Sequence, residues 1–346
     1  MNKDDVIFLA GHQGLVGSAI LRALQRQGYI NILTRSRQEL DLTDQRRVAA
    51  FFEQHRPRHV FLAAAKVGGI LANKTYPAEF IHQNLLIQDN VIHQSHLHGV
   101  DRLLFLGSSC IYPKLCPQPI KEEYLLTGPL EETNSAYAVA KIAGIEMCWA
   151  YHRQYGSHFL PVMPTNLYGP GDNFDLENSH VLPALIRKFH LARLAQEKNA
   201  AAIRTDERQF GRIPDDIRAA LGYDGENLST QGTPSVLLWG TGQARREFLH
   251  VDDMAAACLH IIRHHQGVEL INVGCGHDIS IREVAELVQR IVGYGGKVNW
   301  DSEKPDGTPR KLLEVSRLTA MGFKSTISLE EGIQSTYRWY LKQHGL

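Results

Sequence analysis

Five apolar bursts of strand length, at residues 6–10, 30–34, 59–64, 102–107 and 159–164, recur along the first half of the chain with helical patterns between them. Strands that are apolar throughout, rather than alternating, belong to a parallel sheet covered by helices on both faces. The pattern therefore predicts an α/β fold, a Rossmann-type doubly wound parallel sheet. At 346 residues the chain exceeds the roughly 250–300 at which a single core stops growing, so a second, smaller domain is expected. After Tyr168-Gly169-Pro170-Gly171 the pattern loosens, and residues 191–235 are charged and only patchily periodic. Regularity returns with strands at 236–239 and 270–273 and helices at 251–265 and 281–292. A last helix is expected over 328–343, where Ser328 and Glu331 stand at capping-box spacing. The expected division is a dinucleotide-binding domain over 1–168 with returning segments near 244–274. A discontinuous α/β substrate domain would take 169–243 and 275–346, with an insertion around 191–235.

The first strand runs straight into Gly11-His12-Gln13-Gly14-Leu15-Val16-Gly17 and then into a helical pattern. The first glycine permits a tight turn, the second lets backbone approach a pyrophosphate, and the third lets helix pack on strand. Phosphates would sit at the helix N-terminus, against Leu15 and Val16. An NAD site would place a carboxylate at the end of the second strand; the chain has Thr34-Arg35-Ser36-Arg37 instead. Arg35 and Arg37 suit a 2′-phosphate and so NADP(H). Asp41 and Leu42 fall beside the adenine.

Tyr137 and Lys141 lie four residues apart in a helix-compatible run and so share one face. Positive charge on Lys141 is expected to favour phenolate and lower a phenol pKa that starts at about 10. Ser108, just after the fourth strand, falls at the carboxyl edge where sheets of this class hold ligands.

Thirty-seven basic residues balance thirty-seven acidic ones, which gives no field to attract nucleic acid. No apolar run approaches the ~18 residues of a membrane helix. Five scattered cysteines without a C-x-x-C pair suit a reducing compartment. A cytoplasmic protein with no metal site, acting on a small molecule, is expected.

The glycine turn, Ser108 and the Tyr137/Lys141 pair together resemble the extended short-chain dehydrogenase/reductase family over nearly the whole chain. Five further segments narrow the resemblance: 63–70, 108–113, 163–170, 246–253 and 305–311. They look like the members of that family that act on GDP-4-keto-6-deoxy-D-mannose, epimerising C3 and C5 and reducing C4 with NADPH to give GDP-L-fucose. The resemblance implies that Tyr137 protonates the C4 oxygen, Ser108 hydrogen-bonds it, and Lys141 tunes Tyr137 and holds the nicotinamide ribose. It assigns Cys110 and His180 as the base and acid of epimerisation, groups that exchange protons near neutrality. It adds Ala63, Ala64, Pro164, Asn166, Leu167 and His180 to the cofactor contacts, and Lys188, Trp239, Arg246 and Lys311, with Asn166, to those of the GDP-sugar. Related 4,6-dehydratases carry an acidic pair just after the serine position, where this chain has Ser109 and Cys110.

Two departures qualify the resemblance. Relatives often carry Arg where this chain has Gln13, leaving NADP preference to Arg35 and Arg37. The stretch around 191–235 looks some 35 residues longer than in compact bacterial enzymes, a lid, an oligomer contact or a surface embellishment. A related GDP-keto-deoxysugar of colitose or heptose type, and a non-catalytic NADP-binding module, are the alternatives. The family's usual pairing, through the helix near 80–97 and the Tyr137 helix, implies a homodimer.

Overall fold

The computed structural model describes residues 1–304 and 306–343. Strands are β1 Ile7–Ala10, β2 Ile32–Leu33, β3 His59–Leu62, β4 Arg102–Leu106, β5 Phe159–Pro164, β6 Asn166–Tyr168, β7 Ser235–Trp239, β8 Arg245–Arg246, β9 Phe248–His250, β10 Ile271–Val273, β11 Ile279–Ser280, β12 Lys297–Asp301 and β13 Arg310–Lys311. Helices are α1 Leu15–Arg26, α2 Gln45–His55, α3 Ile70–Thr75, α4 Pro77–Leu97, α5 Ser135–Tyr155, α6 Val181–Gln196, α7 Ala200–Phe210, α8 Asp215–Leu221, α9 Val251–His264, α10 Ile281–Val292, α11 Ser316–Ala320 and α12 Leu329–Gln343.

The chain divides into two compact units. Unit 1 comprises Met1–Leu167, Phe248–Gly276 and Leu312–Thr326; unit 2 takes Tyr168–Glu247, His277–Lys311 and the chain from Ile327 onward. Residues 312–326 thus belong with unit 1, whereas the sequence reading put them in the substrate domain.

Unit 1 is built on a six-stranded sheet in the order β10-β5-β4-β3-β1-β2, every neighbouring pair parallel. Each residue of β1 and β3 is buried, as expected for strands covered on both faces. One core layer joins Leu9, Phe61, Leu104 and Val162 to α1 and α9; the other joins Phe8, Val60, Phe105 and Phe159 to α2, α4 and α5. The second strand is shorter than its sequence pattern, because Ile30 is 72% exposed at the sheet edge and only Ile32 and Leu33 pair with β1.

Unit 2 holds two small sheets, β11-β8-β13 and the parallel pair β12-β7. Its helix α12 begins where the sequence placed it, with Ser328 and Glu331 exchanging backbone and side-chain hydrogen bonds. The stretch read as an insertion is woven into this unit rather than appended to it. Arg187 of α6 is fully buried and donates to Asp206 of α7 (Nε to Oδ1, 2.8 Å) and to the carbonyls of Phe174, Phe210 and Gly211. Tyr340 of α12 donates to the other oxygen of Asp206. A charged residue in a charged stretch thereby becomes the centre of a core.

Candidate active site

In unit 1 the glycine turn connects β1 to α1, and sterics dictate two of its three glycines. A Cβ on Gly11, whose φ is +90°, would come within 2.6 Å of the Ala64 nitrogen; one on Gly17 would lie 2.0 Å from the Gly11 oxygen. Gly14 meets only ordinary protein contact, 3.5 Å from the same oxygen, and is exposed. Its freedom is therefore useful for something outside the chain, as close approach by a pyrophosphate requires. Gly14 is also the N-cap of α1, with no side-chain cap and no acidic residue in the first turn, so the N–H groups that open the helix at Leu15 and Val16 favour an anion. Ala63 is held against β1 by its N–H to the Ala10 oxygen, 3.0 Å. These residues form a cradle that fits a dinucleotide.

At the end of β2, Arg35 lies over the Phe51 ring (5.6 Å) and donates to the Thr34 carbonyl, while Arg37 is exposed. Gln13 is exposed as well. Asp41 is folded onto Thr43, accepting from its N–H and hydroxyl at 3.0 and 2.8 Å, and these bonds with nearby arginines hold its carboxyl below the usual range. The Leu42 carbonyl accepts from Asn90 at 2.9 Å. Two guanidiniums beside this turn fit a phosphate better than a bare ribose hydroxyl.

Ser108 caps a single 3-10 turn, Ser109–Ile111, that carries Cys110 beyond the end of β4. Helix α5 places Tyr137 and Lys141 opposite. The Ser108 and Tyr137 side chains share a hydrogen bond, and Cys110 interacts electrostatically with both Tyr137 and Lys141, so these four groups form one cluster. Lys141 is buried, its ammonium donating to the Leu106 carbonyl at 2.8 Å and lying 5.8 Å from the Tyr137 ring centre.

The electrostatics differ from the sequence expectation. Burial raises the Tyr137 pKa, with Cys110 adding to the rise and the Ser108 hydrogen bond opposing it. The same desolvation lowers Lys141 to about 8, and burial outweighs any help its charge gives to phenolate. Tyr137 is accordingly a phenol, a proton donor. Sequence spacing gave the helix face but not the burial that decides the sign. It also missed Phe80, whose ring meets Tyr137 edge-on at 6.4 Å, because an apolar residue 57 positions upstream carries no local signal.

Pro164 and Asn166 end β5 and open β6, with Leu167 following, at the carboxyl edge of the unit 1 sheet.

Unit 2 carries the remaining candidates. His180 is the N-cap of α6 and solvent-exposed, yet crowding by protein lowers its pKa, with Lys311 adding to the effect. Lys188 donates to the Leu237 carbonyl at 3.0 Å, and burial lowers it to about 8 against the opposing charge of Asp216 on α8. Arg246 and Lys311 are register partners in the parallel pair β8/β13, which sets their side chains on one face. Trp239, 59% exposed, has the Lys304 ammonium 5.5 Å from its ring centre. Thr241 donates to Asp306 through both N–H (2.7 Å) and hydroxyl (2.6 Å), holding residues 306–309 beside Arg246; Pro305, in the motif quoted above, lies outside the described residues. Asp172 is a residue the sequence did not mark. Burial raises its pKa to about 7 and Oδ2 has no hydrogen-bond partner among the described residues, whereas Asp172-Asn173 reads as an ordinary turn. Among the described residues no helix is long and apolar enough to cross a membrane, and no His, Cys, Asp and Glu group could hold a metal.

The pattern of the NAD dependent epimerase/dehydratase family matches residues 7–223 and 211–274. GDP-L-fucose synthase 1 of Arabidopsis thaliana is 52% identical over 341 residues, covering 99% of this chain and 94% of that protein. GDP-L-fucose synthase of Escherichia coli K12 is 50% identical over 345 residues, covering 97% and 96%. The structure is similar to that of MlghC, a GDP-mannoheptose C4 reductase from Campylobacter jejuni with NADP bound, at TM-score 0.84 and 40% identity, covering 99% of each chain.

Proposed function

The chain belongs to the NAD dependent epimerase/dehydratase family, and we propose that it converts GDP-4-keto-6-deoxy-D-mannose to GDP-L-fucose with NADPH, by 3,5-epimerisation followed by 4-reduction. The observation that carries this reading is the clustering of Cys110 with Ser108, Tyr137 and Lys141. A thiol able to take a proton from carbon stands beside a phenol able to give one to oxygen. The greater identity to fucose synthases, 50–52% against 40% for the heptose reductase, favours the fucose product.

NADPH, when bound, supplies the hydride to C4. The glycine turn and α1 would hold its pyrophosphate, Arg35 and Arg37 its 2′-phosphate, and Lys141 its nicotinamide ribose. Because burial keeps Tyr137 protonated, its hydroxyl donates to the C4 oxygen as negative charge develops there, and Ser108 supplies a second hydrogen bond. In the preceding stage Cys110 removes the proton beside the carbonyl and His180 returns one to the other face. The lowered pKa of His180 makes its imidazolium a readier acid. Arg246 and Lys311, side by side, neutralise the GDP diphosphate, and Trp239 offers an aromatic face.

A homodimer pairing through α4 and α5 of unit 1 is part of this reading. Leu97 and Tyr155, 56% and 54% exposed, stand at the ends of those helices. Light scattering at assay concentrations tests it, a monomer mass excluding it.

Incubation of the purified chain with GDP-4-keto-6-deoxy-D-mannose and NADPH, followed by NMR of the product, tests the activity. GDP-L-fucose with stoichiometric NADPH oxidation is expected. Loss of NADPH only with a GDP-heptose, or none with any GDP-ketosugar, overturns the assignment.

A further inference from the structure

The turn that carries Cys110 ends at Tyr112, and Tyr112 is fastened to the far edge of the unit 1 sheet. Tyr112 is 3% exposed and donates its hydroxyl to Asn272 Oδ1 of β10 at 2.6 Å. Asn272 is completely buried, and every polar atom of its side chain is used: Nδ2 donates to the Ile120 carbonyl at 2.9 Å and to the Glu314 carbonyl at 3.1 Å. Carbonyls only accept, so the amide has a single orientation, with its oxygen toward Tyr112. The Asn272 N–H in turn donates to Glu122 Oε1 at 3.0 Å, and Glu122 is itself buried. The loop leaving Cys110 therefore returns to one asparagine at three points, Tyr112, Ile120 and Glu122. Backbone bonds from Ile120 to Leu312 (2.7 Å) and from Glu314 to Ile120 (2.8 Å) close it further.

We propose that Asn272 and Glu122 are positioning residues for Cys110, acting through Tyr112 as a clasp that fixes the thiol against the sugar ring. The inference rests on the proposed epimerase/reductase reading and adds residues to it. A cysteine on a one-turn segment past a strand end has little helix of its own to define it, since such a turn closes few backbone bonds. Proton abstraction from carbon tolerates little misplacement, and an ångström costs on the order of 10²-fold. Tyr137 and Lys141 are held by α5 instead, so disturbing the clasp separates the two halves of the reaction.

Tyr112→Phe, Asn272→Ala and the conservative Glu122→Gln, each made in the full chain, test this with three measurements. Deuterium uptake from solvent at C3 and C5 of GDP-4-keto-6-deoxy-D-mannose, with NADP⁺ present, follows the Cys110 stage. Oxidation of GDP-L-fucose at C4 by NADP⁺ needs no epimerisation. The alkylation rate of Cys110 by iodoacetamide, read by peptide mass spectrometry, needs no sugar at all. Tyr112→Phe and Asn272→Ala should lower deuterium uptake by about tenfold or more, leave oxidation within about twofold, and change the Cys110 alkylation rate. Glu122→Gln keeps an acceptor for the Asn272 N–H and should retain uptake. Parallel losses in uptake and oxidation, or an unchanged alkylation rate in Tyr112→Phe, overturn the clasp. Should Asn272→Ala fail to fold, Tyr112→Phe decides, since it removes one oxygen and no packing. A parent protein inert on both GDP-sugars would overturn the proposed function alone, the alkylation comparison still deciding the clasp.

Discussion

Lys141 in unit 1 and Arg187 in unit 2 are both buried cations, and their surroundings differ in kind. Arg187 spends its guanidinium on a carboxylate and three carbonyls. Lys141 makes one carbonyl bond, lies near the Phe105 and Tyr137 rings at 4.9 and 5.8 Å, and has no carboxylate partner among the described residues. A buried charge whose donors are all used holds its own unit together, and removing its partner leaves an uncompensated ion. One with donors to spare, and a pKa pushed down to about 8, is poised for a ligand at a cost to stability. The two cations thus differ in how many of their donors the protein itself uses.

The largest effect that could break this contrast is on rate. Lys141→Met should lower C4 reduction by about 10²–10⁴-fold, the range of a lost acid–base arrangement, without lowering the melting temperature at pH 7. NADPH consumption and differential scanning calorimetry read the two, and a melting temperature that falls with the rate would make Lys141 structural. Asp206→Ala should do the opposite. Stability should fall by about 3–5 kcal/mol in urea titration, since Arg187 is left buried and unpaired, while whatever folds turns over normally. Tyr340→Phe removes one hydrogen bond to the same carboxylate and should cost about 1.5–3 kcal/mol by the same titration, sharpening how much of the cluster rests on Asp206 alone.

The smallest effect is one of pH. The Lys141 pKa is about 8 in the folded chain against 10.5 for an ordinary lysine, so between those values the unfolded chain holds a proton that the folded one has released. Stability from this group therefore rises with pH through that window and is lower below it. The melting-temperature advantage of Lys141→Met should narrow, by about a few degrees at most, between pH 7.5 and 10. A constant gap would place the ammonium in a less desolvated setting.

Much of unit 1 was legible in the chain because its strands are apolar throughout and punctuated by glycine. The burst at 159–164 is β5 to the residue, and that at 6–10 misses β1 by one. Ser108, Tyr137 and Lys141 were legible as a group because strand end and helix face are local features. Ile30 misled because apolar character predicts a buried strand residue, whereas at the sheet edge it is 72% exposed and lies outside the β1/β2 register. Asp206 and Arg187 were illegible for a different reason. Within Arg204-Thr205-Asp206-Glu207-Arg208 a carboxylate looks solvated, and only the packing of α6, α7 and α12 reveals its partners. The pKa direction of Tyr137 lay equally out of reach, because desolvation is set by chain distant in sequence.

Unit 1 is assembled from three separated stretches of chain, and its edge strand β10 joins the sheet against β5 from more than a hundred residues away. During synthesis the first five strands leave the ribosome long before β10, the helix α9 or the 312–326 segment exist to cover them. Loop closure over such separations is slow, and β5 waits meanwhile as an unpaired apolar edge. A nascent chain paused near residue 240 should therefore be protease-sensitive and chaperone-dependent throughout its cofactor half, maturing as one unit only when its last third has emerged.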